Sequence, residues 1–507
     1  MLSNSLFSSS LNTLFTLVFS FLANVFFVRI AGLELYGQYS VVLSIVTVYF
    51  SLFALGTLSS FPKEAAWYIV NRKNPSGFFT LVIFFVVLSC LLFAWPVYLT
   101  FQSHFDESYR HIDSFNTAVF ILLLVNVLFY GPSMYINGIF EGNYLMKFPL
   151  RINILISVFR IFFLGLFYFS GKNILTCIVY VYLLPNLLLF ISSYHVSKNI
   201  LKLSFSFNNL ELDFIRLKSL LKFSLKLLPL TIAELIIGNF AYFMLSGTET
   251  FENIGSFRVL FGLFVLLNTL QSFFGKSLLP VFSRFYYENN TDSAVFYFNI
   301  FWKASLLTST IILVFIGIFS EGILNMFQAY SPRNELYLYI LLAANYTMIG
   351  SFVGSLLNSF EEPWIVSKSL MLGSLTYVVI LFLFGSKSGI LSAVLGLFFC
   401  YFIMQFYLGW HASKKFNVNY KLLWYLFNFG VAAIFVFIVK LIQIKLDSMI
   451  VSFLLFLFWI YFFLRNFQLL KLFDSIELYR IHAFISGIQN TKVRSIVYNF
   501  AVHFRVK

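Results

Sequence analysis

Residues 29–39 read Arg29-Ile30-Ala31-Gly32-Leu33-Glu34-Leu35-Tyr36-Gly37-Gln38-Tyr39, a short polar break between two long apolar runs. Downstream the chain reads Gly247-Thr248-Glu249-Thr250-Phe251 and then Gly255-Ser256-Phe257-Arg258. Gly37 and Gly255 stand 218 residues apart, and each is followed 25 residues later by a proline, Pro62 and Pro280. A second match lies further on: Phe140-Glu141 with Tyr144 and Lys147, against Phe360-Glu361 with Trp364 and Lys368. Order is kept across both matches and spacing to within a few residues, which is the mark of an internal repeat.

What surrounds these motifs is apolar. Of 507 residues, 60% are hydrophobic and 11% charged, and the mean hydropathy is +0.88. Soluble domains run near 45–50% apolar and about 25% charged, so lipid must solvate much of this chain. Stretches of about twenty residues, enough to cross ~30 Å at 1.5 Å per residue, recur fourteen times between 11–30 and 448–466. The expected fold class is therefore an all-α polytopic membrane protein of about fourteen transmembrane helices.

Six spans separate the matched segments. Six is even, so both copies enter the bilayer in the same direction, as in a parallel repeat about an axis along the membrane normal. The expected organisation is an N-lobe over 1–205 with helices 1–6, a cytoplasmic amphipathic linker over 206–225, and a C-lobe over 226–411 with helices 7–12. Helices 13–14 follow over 412–466, then a basic cytoplasmic tail over 467–507.

Charge orients the stack. With the N-terminus inside, cytoplasmic segments hold 22 Lys and Arg and the opposite side holds five. That bias follows the positive-inside rule and places both termini in the cytoplasm. It also accounts for the net charge of +14 through anionic membrane lipids, without nucleic acid as a partner. In the linker, Leu212, Ile215, Leu220 and Phe223 alternate with Asp213, Arg216, Lys218 and Lys222, the pattern of a helix lying on the inner leaflet.

Motifs for covalent chemistry are missing. The sequence holds no Walker A loop, HExxH, paired CxxC or GxSxG, so no cofactor or resident metal is expected. Cys90, Cys177 and Cys400 all fall inside apolar runs and read as small core residues.

The segments Arg29–Tyr39 and Ile254–Arg258 carry a resemblance to a known family. They are similar to Wzx-type polysaccharide flippases, part of a MATE-like superfamily of multidrug, oligosaccharidyl-lipid and polysaccharide exporters. The resemblance covers roughly residues 5–410. It implies two six-helix lobes that work by alternating access in the cell inner membrane, without enzymatic chemistry. It implies a lipid-linked oligosaccharide as cargo, an undecaprenyl-pyrophosphate carrying an O-antigen or capsule repeat unit. Proton or Na+ gradients and the polysaccharide assembly machinery are the implied partners.

Charges inside spans are the candidate site residues, because each costs roughly 2.5–3.5 kcal/mol at mid-helix unless it faces a cavity or a partner. Arg160 falls in the middle of span five and Glu234 about nine residues into span seven. Arg29 and Arg258 sit at the outer ends of spans one and eight, and Lys276 and Lys303 lie towards the inner side. On the functional reading, Arg29, Arg160, Arg258, Lys276 and Lys303 form a cationic cavity for a pyrophosphate, since Arg offers a fork of donors to phosphate oxygens. Glu234 then carries the coupling ion. Against it stand snorkelling for Arg29, Lys276 and Lys303, and a purely structural Arg160–Glu234 ion pair. Asn24, Asn126, Asn239, Asn268 and Asn345 either line a glycan path or bond helix to helix.

Two rivals remain. A polytopic glycosyltransferase or polymerase would place acids on an outer loop, where Asp106, Glu107 and Asp113 fall. A MATE-like drug exporter would hold an acidic cavity for cationic cargo, whereas the in-span charges here are mostly basic.

Overall fold

With no water in the hydrocarbon core, backbone polar groups must be satisfied within their own segment, and an apolar chain of this length folds as helices. The computed structural model describes residues 2–469 except 72, 110–114, 143–144, 146, 172, 206–209, 289, 348–350, 361, 417–421 and 447–448. Among them every regular element is helical. Eight helices are long and apolar enough to cross a bilayer, and Ser76–Leu92, Phe427–Gln443 and Ile450–Tyr461 are shorter apolar helices. The basic tail beyond residue 469 and the loop residue Asp113 lie outside the described residues, as do the side chains of Asp106 and Glu107.

The polar break that opens the repeat is a kink. Helix Leu2–Phe53 is broken at Gly32, where φ is 82° and ψ 162°. A Cβ there would meet nothing within 4 Å, so glycine is required for its backbone conformation and not for space.

Two compact units divide the chain. The first holds residues 1–273, 324–345 and 364–407. Its largest described core gathers Phe61, Tyr68, Phe78, Tyr135 and Phe140, with the Phe61 and Phe78 rings stacked at 5.4 Å. The second unit holds residues 274–323, 346–363 and 408–507. There Gln443 Nε2 donates to the Ile318 carbonyl at 3.2 Å and to Ser452 Oγ at 2.8 Å, while Val436 fills the notch at Gly317. Helices Leu422–Leu446 and Met449–Leu469 are thereby fastened to Thr291–Ile318.

The linker is part of a longer helix. Leu210–Ser246 runs without a break through Pro229, so the linker and the following span are one rod. The side that packs on the protein mixes apolar and charged residues. Leu217 and Leu220 join the core of the first unit, but Asp213 is also buried and Arg216 half-buried, while Ile215 turns outward. The reason is a set of partners on helix Thr57–Val70. Arg216 Nη1 lies 3.5 Å from Glu64 Oε2, and its guanidinium stacks 3.3 Å above the Trp67 ring. Ser219 Oγ donates to Glu64 Oε1 at 3.0 Å, and the Tyr68 hydroxyl donates to Asp213 Oδ1 at 2.5 Å.

Removing one member of a buried ion pair strands the other. Arg216→Ala is therefore expected to destabilise the purified protein by roughly 2–3 kcal/mol, read as a lower unfolding midpoint and faster proteolysis within 206–225. An unchanged midpoint would show the pair to be idle. Burial pushes the Asp213 carboxyl above its ordinary range, and the Tyr68 hydrogen bond only partly offsets this. A raised acid pKa means the folded state binds more protons than the unfolded one, so this contribution weakens stability as pH rises through the shifted pKa. Asp213→Asn keeps an acceptor for Tyr68 and should remove that part of the pH dependence.

Candidate functional site

In lipid, helices gain by close approach, and small residues allow backbone to meet backbone. Gly37 and Gly255 meet in this way. A Cβ on Gly37 would overlap the Phe251 carbonyl, and one on Gly255 would overlap the Leu33 carbonyl. Leu33 and Phe251 each stand four residues before their glycine, and the glycines are the pair matched at an offset of 218. Each repeat thus presents to the other the same surface that it receives, the reciprocal relation a two-fold axis creates.

Beside this crossing lies a cationic pocket. From Tyr36, one helical turn carries Ser40, whose hydroxyl is occupied by the Tyr36 carbonyl at 2.6 Å, and the phenol is left for other partners. The partner is Arg258. Its Nη1 donates to the Tyr242 hydroxyl at 3.2 Å, its guanidinium lies 5.4 Å from the Tyr242 ring, and its charge acts on the Tyr36 phenol. Ser20, Phe21, Asn24, Tyr36, Arg258 and Phe327 line a cavity of about 350 Å³ here. Phe21 and Phe327 meet edge to face at 5.4 Å across it.

Arg160 occupies a second position in the same unit. It is half-buried, and its Nε is buried without a hydrogen-bond partner among the described residues. Its charge acts on the phenols of Tyr39, Tyr130 and Tyr182, and the charge of Arg258 also acts on Tyr39. The two arginines, one from each repeat, are therefore both within electrostatic reach of Tyr39. Tyr130 and Tyr182 belong to π-helical turns, Asn126–Tyr130 and Ile178–Leu183, joined by a 2.8 Å bond from the Tyr182 hydroxyl to Asn126 Oδ1. Such turns often mark functional positions in helices.

The remaining candidates are dispersed. Arg29 is exposed, and its Nε donates to the Met326 carbonyl at 2.9 Å, outside the residues lining the cavity. Glu234 is exposed and lies within electrostatic reach of Tyr401, and among the described residues no ion pair joins it to Arg160. Lys276 lies on helix Phe251–Tyr287, but its side chain is outside the described residues. Lys303 is half-buried in the second unit. The asparagines separate cleanly. Asn24 lines the cavity, Asn126 holds Tyr182, Asn345 donates to Asn268, and Asn239 bonds the Leu235 carbonyl of its own helix.

The family described as polysaccharide biosynthesis protein matches residues 2–286, more than half of the 507. The chain belongs to that family. No curated protein sequence matches it. Solved structures share the fold of this polysaccharide biosynthesis protein. The lipid II flippase MurJ in an inward closed conformation superposes with a TM-score of 0.65 at 17% identity, over 90% of this chain and 98% of that one. An inward-facing multidrug resistance MATE family transporter of the MOP superfamily gives 0.58 at 14%, over 80% and 94%. A MOP superfamily transporter from Pyrococcus furiosus gives 0.54 at 15%, over 82% and 95%. The likeness read from Arg29–Tyr39 and Ile254–Arg258 to polysaccharide flippases of MATE-like fold thus holds at the level of family and fold. With its eight long apolar helices, this family member is a polytopic membrane protein.

The tyrosines were not singled out by sequence. Twenty-nine Tyr among 70 Phe read as bulk composition. Two local signals pointed to some of them: Tyr36 and Tyr39 flank the repeated glycine, and Tyr130 precedes Gly131-Pro132.

Proposed function

We propose that this polysaccharide biosynthesis protein is a flippase and not an enzyme. Its cargo is an undecaprenyl-pyrophosphate-linked oligosaccharide repeat unit of O-antigen or capsular polysaccharide. The protein turns this lipid from the cytoplasmic to the outer leaflet of the inner membrane and delivers it to the assembly machinery outside. The observation that carries this reading is the pair of arginines contributed by the two repeats, Arg258 lining the cavity and Arg160 with a buried Nε that has no hydrogen-bond partner among the described residues. Two guanidiniums within apolar spans are expensive unless an anion visits them, and a pyrophosphate offers the oxygens that their donor forks fit.

The cavity beside Arg258 adds aromatic rings and the polar groups of Ser20 and Asn24, a lining suited to a sugar. Alternating access then has a physical form. When the outer ends of spans two and eight meet at Gly37 and Gly255, the site is closed to the outside; when they part, it opens there. Glu234, exposed on helix Leu210–Ser246, is the group to bind the proton or Na+ that drives the cycle.

The test is a fluorescent polyprenyl-pyrophosphate oligosaccharide in vesicles containing the purified chain. Protein-dependent exposure of the glycan to an impermeant glycosidase is expected. Equal exposure in vesicles without protein would end the proposal, as would exposure that is unchanged in Arg160→Ala.

A further inference from the structure

Charged residues on the linker helix are unevenly placed around its axis. Successive residues of a helix turn by about 100°, so Phe214, Ile215, Lys218, Lys222, Leu225 and Lys226 fall on one arc of about 120°. All six are exposed, with Phe214 and Ile215 at 64% and Leu225 at 54%. The opposite arc carries Asp213, Leu217, Leu220 and Ser224, all buried, and Arg216 held on Glu64. From 214 to 226 the sequence contains no acid, so within that stretch every charge on the outward arc is positive, and Glu211, one turn earlier, falls on the same arc. Among the described residues no hydrogen bond or ion pair engages these lysines, and the arc lies on the same helix that continues unbroken to Ser246.

We propose that this arc is a docking surface for anionic phospholipid headgroups of the inner leaflet. Three apolar side chains enter the headgroup boundary while the three lysines beside them meet lipid phosphates. Because Asp213 and Arg216 lock the other face to helix Thr57–Val70, the surface is rigid and holds the first unit at the level of the leaflet. This proposal is independent of the cargo, so its failure would leave the flippase reading intact.

The experiment places a single environment-sensitive fluorophore on the full chain at Ile215→Cys. Cys90, Cys177 and Cys400 are buried, which confines labelling to the new thiol. The protein is reconstituted in phosphatidylcholine alone or mixed equally with phosphatidylglycerol. Quenching by lipids spin-labelled near the headgroup is expected to be strong in the mixed vesicles, weaker in the neutral ones, and reduced by salt. Each lysine near an anionic surface favours the bound arrangement about fivefold. The triple change Lys218→Gln, Lys222→Gln, Lys226→Gln should therefore shift it by on the order of a hundredfold and erase the difference between lipids. The corresponding triple change to arginine should preserve the difference. Quenching that ignores lipid charge and the lysines would overturn the proposal. So would a probe that stays open to aqueous iodide in both vesicles, or one shielded only by self-association or by an added acidic protein.

Discussion

Gly37→Leu is expected to stop glycan export while the chain remains in the membrane at its normal amount. A leucine cannot share space with the Phe251 carbonyl, so the crossing at Gly255 has to open. A bias of about 3 kcal/mol against the closed arrangement shifts the open-to-closed ratio by on the order of a hundredfold. A carrier that cannot close outside cannot reset to load inside. Gly255→Leu should act alike, because the contact is reciprocal. Gly32→Ala should be milder, since it meets open space and suffers only from its positive φ. The measurement pairs surface glycan with labelling of Asn24→Cys by an impermeant maleimide added outside. Labelling should rise in Gly37→Leu; normal export with unchanged labelling would remove the crossing from the cycle.

The second large effect is at Arg160. Arg160→Ala should abolish surface glycan with protein abundance unchanged, and Arg160→Lys should restore part of it. A charge-assisted hydrogen bond is worth roughly 1.5–3 kcal/mol, so losing two from one guanidinium lowers transport on the order of a hundredfold or more. Abundance should hold because, among the described residues, no ion pair ties Arg160 to Glu234, which is itself exposed. For the same reason, adding Glu234→Ala should not bring export back. If the single mutant is scarce and the double mutant is both abundant and active, Arg160 is structural.

How much of this was legible beforehand follows from what sequence encodes. Span length and the uneven spread of lysine and arginine between spans are one-dimensional quantities, and they announced a helical membrane protein. Spacing also announced that Gly37 and Gly255 are equivalent. It could not announce that they touch, because alignment reports likeness and not adjacency. The linker shows the opposite limit. Hydropathy put Ile215 on a lipid-facing stripe and Arg216 on a polar one, but it held no sign that Glu64 and Trp67, some 150 residues earlier, supply partners for Arg216. Arg29 and Arg258 occupy comparable positions on paper, but one is taken up by the Met326 carbonyl and the other by the Tyr242 phenol.

The two π-helical turns, Asn126–Tyr130 and Ile178–Leu183, have a historical meaning. Each is an α-helix that has accommodated one extra residue. Such a feature cannot arise or fade gradually: the codon is there or it is not, and with it the whole downstream stretch faces a different direction. In an alignment of relatives each turn should therefore appear as a one-column gap. Lineages that lack the columns would also lack the Tyr182–Asn126 bond, which makes those gaps a record of when the surroundings of Arg160 were acquired.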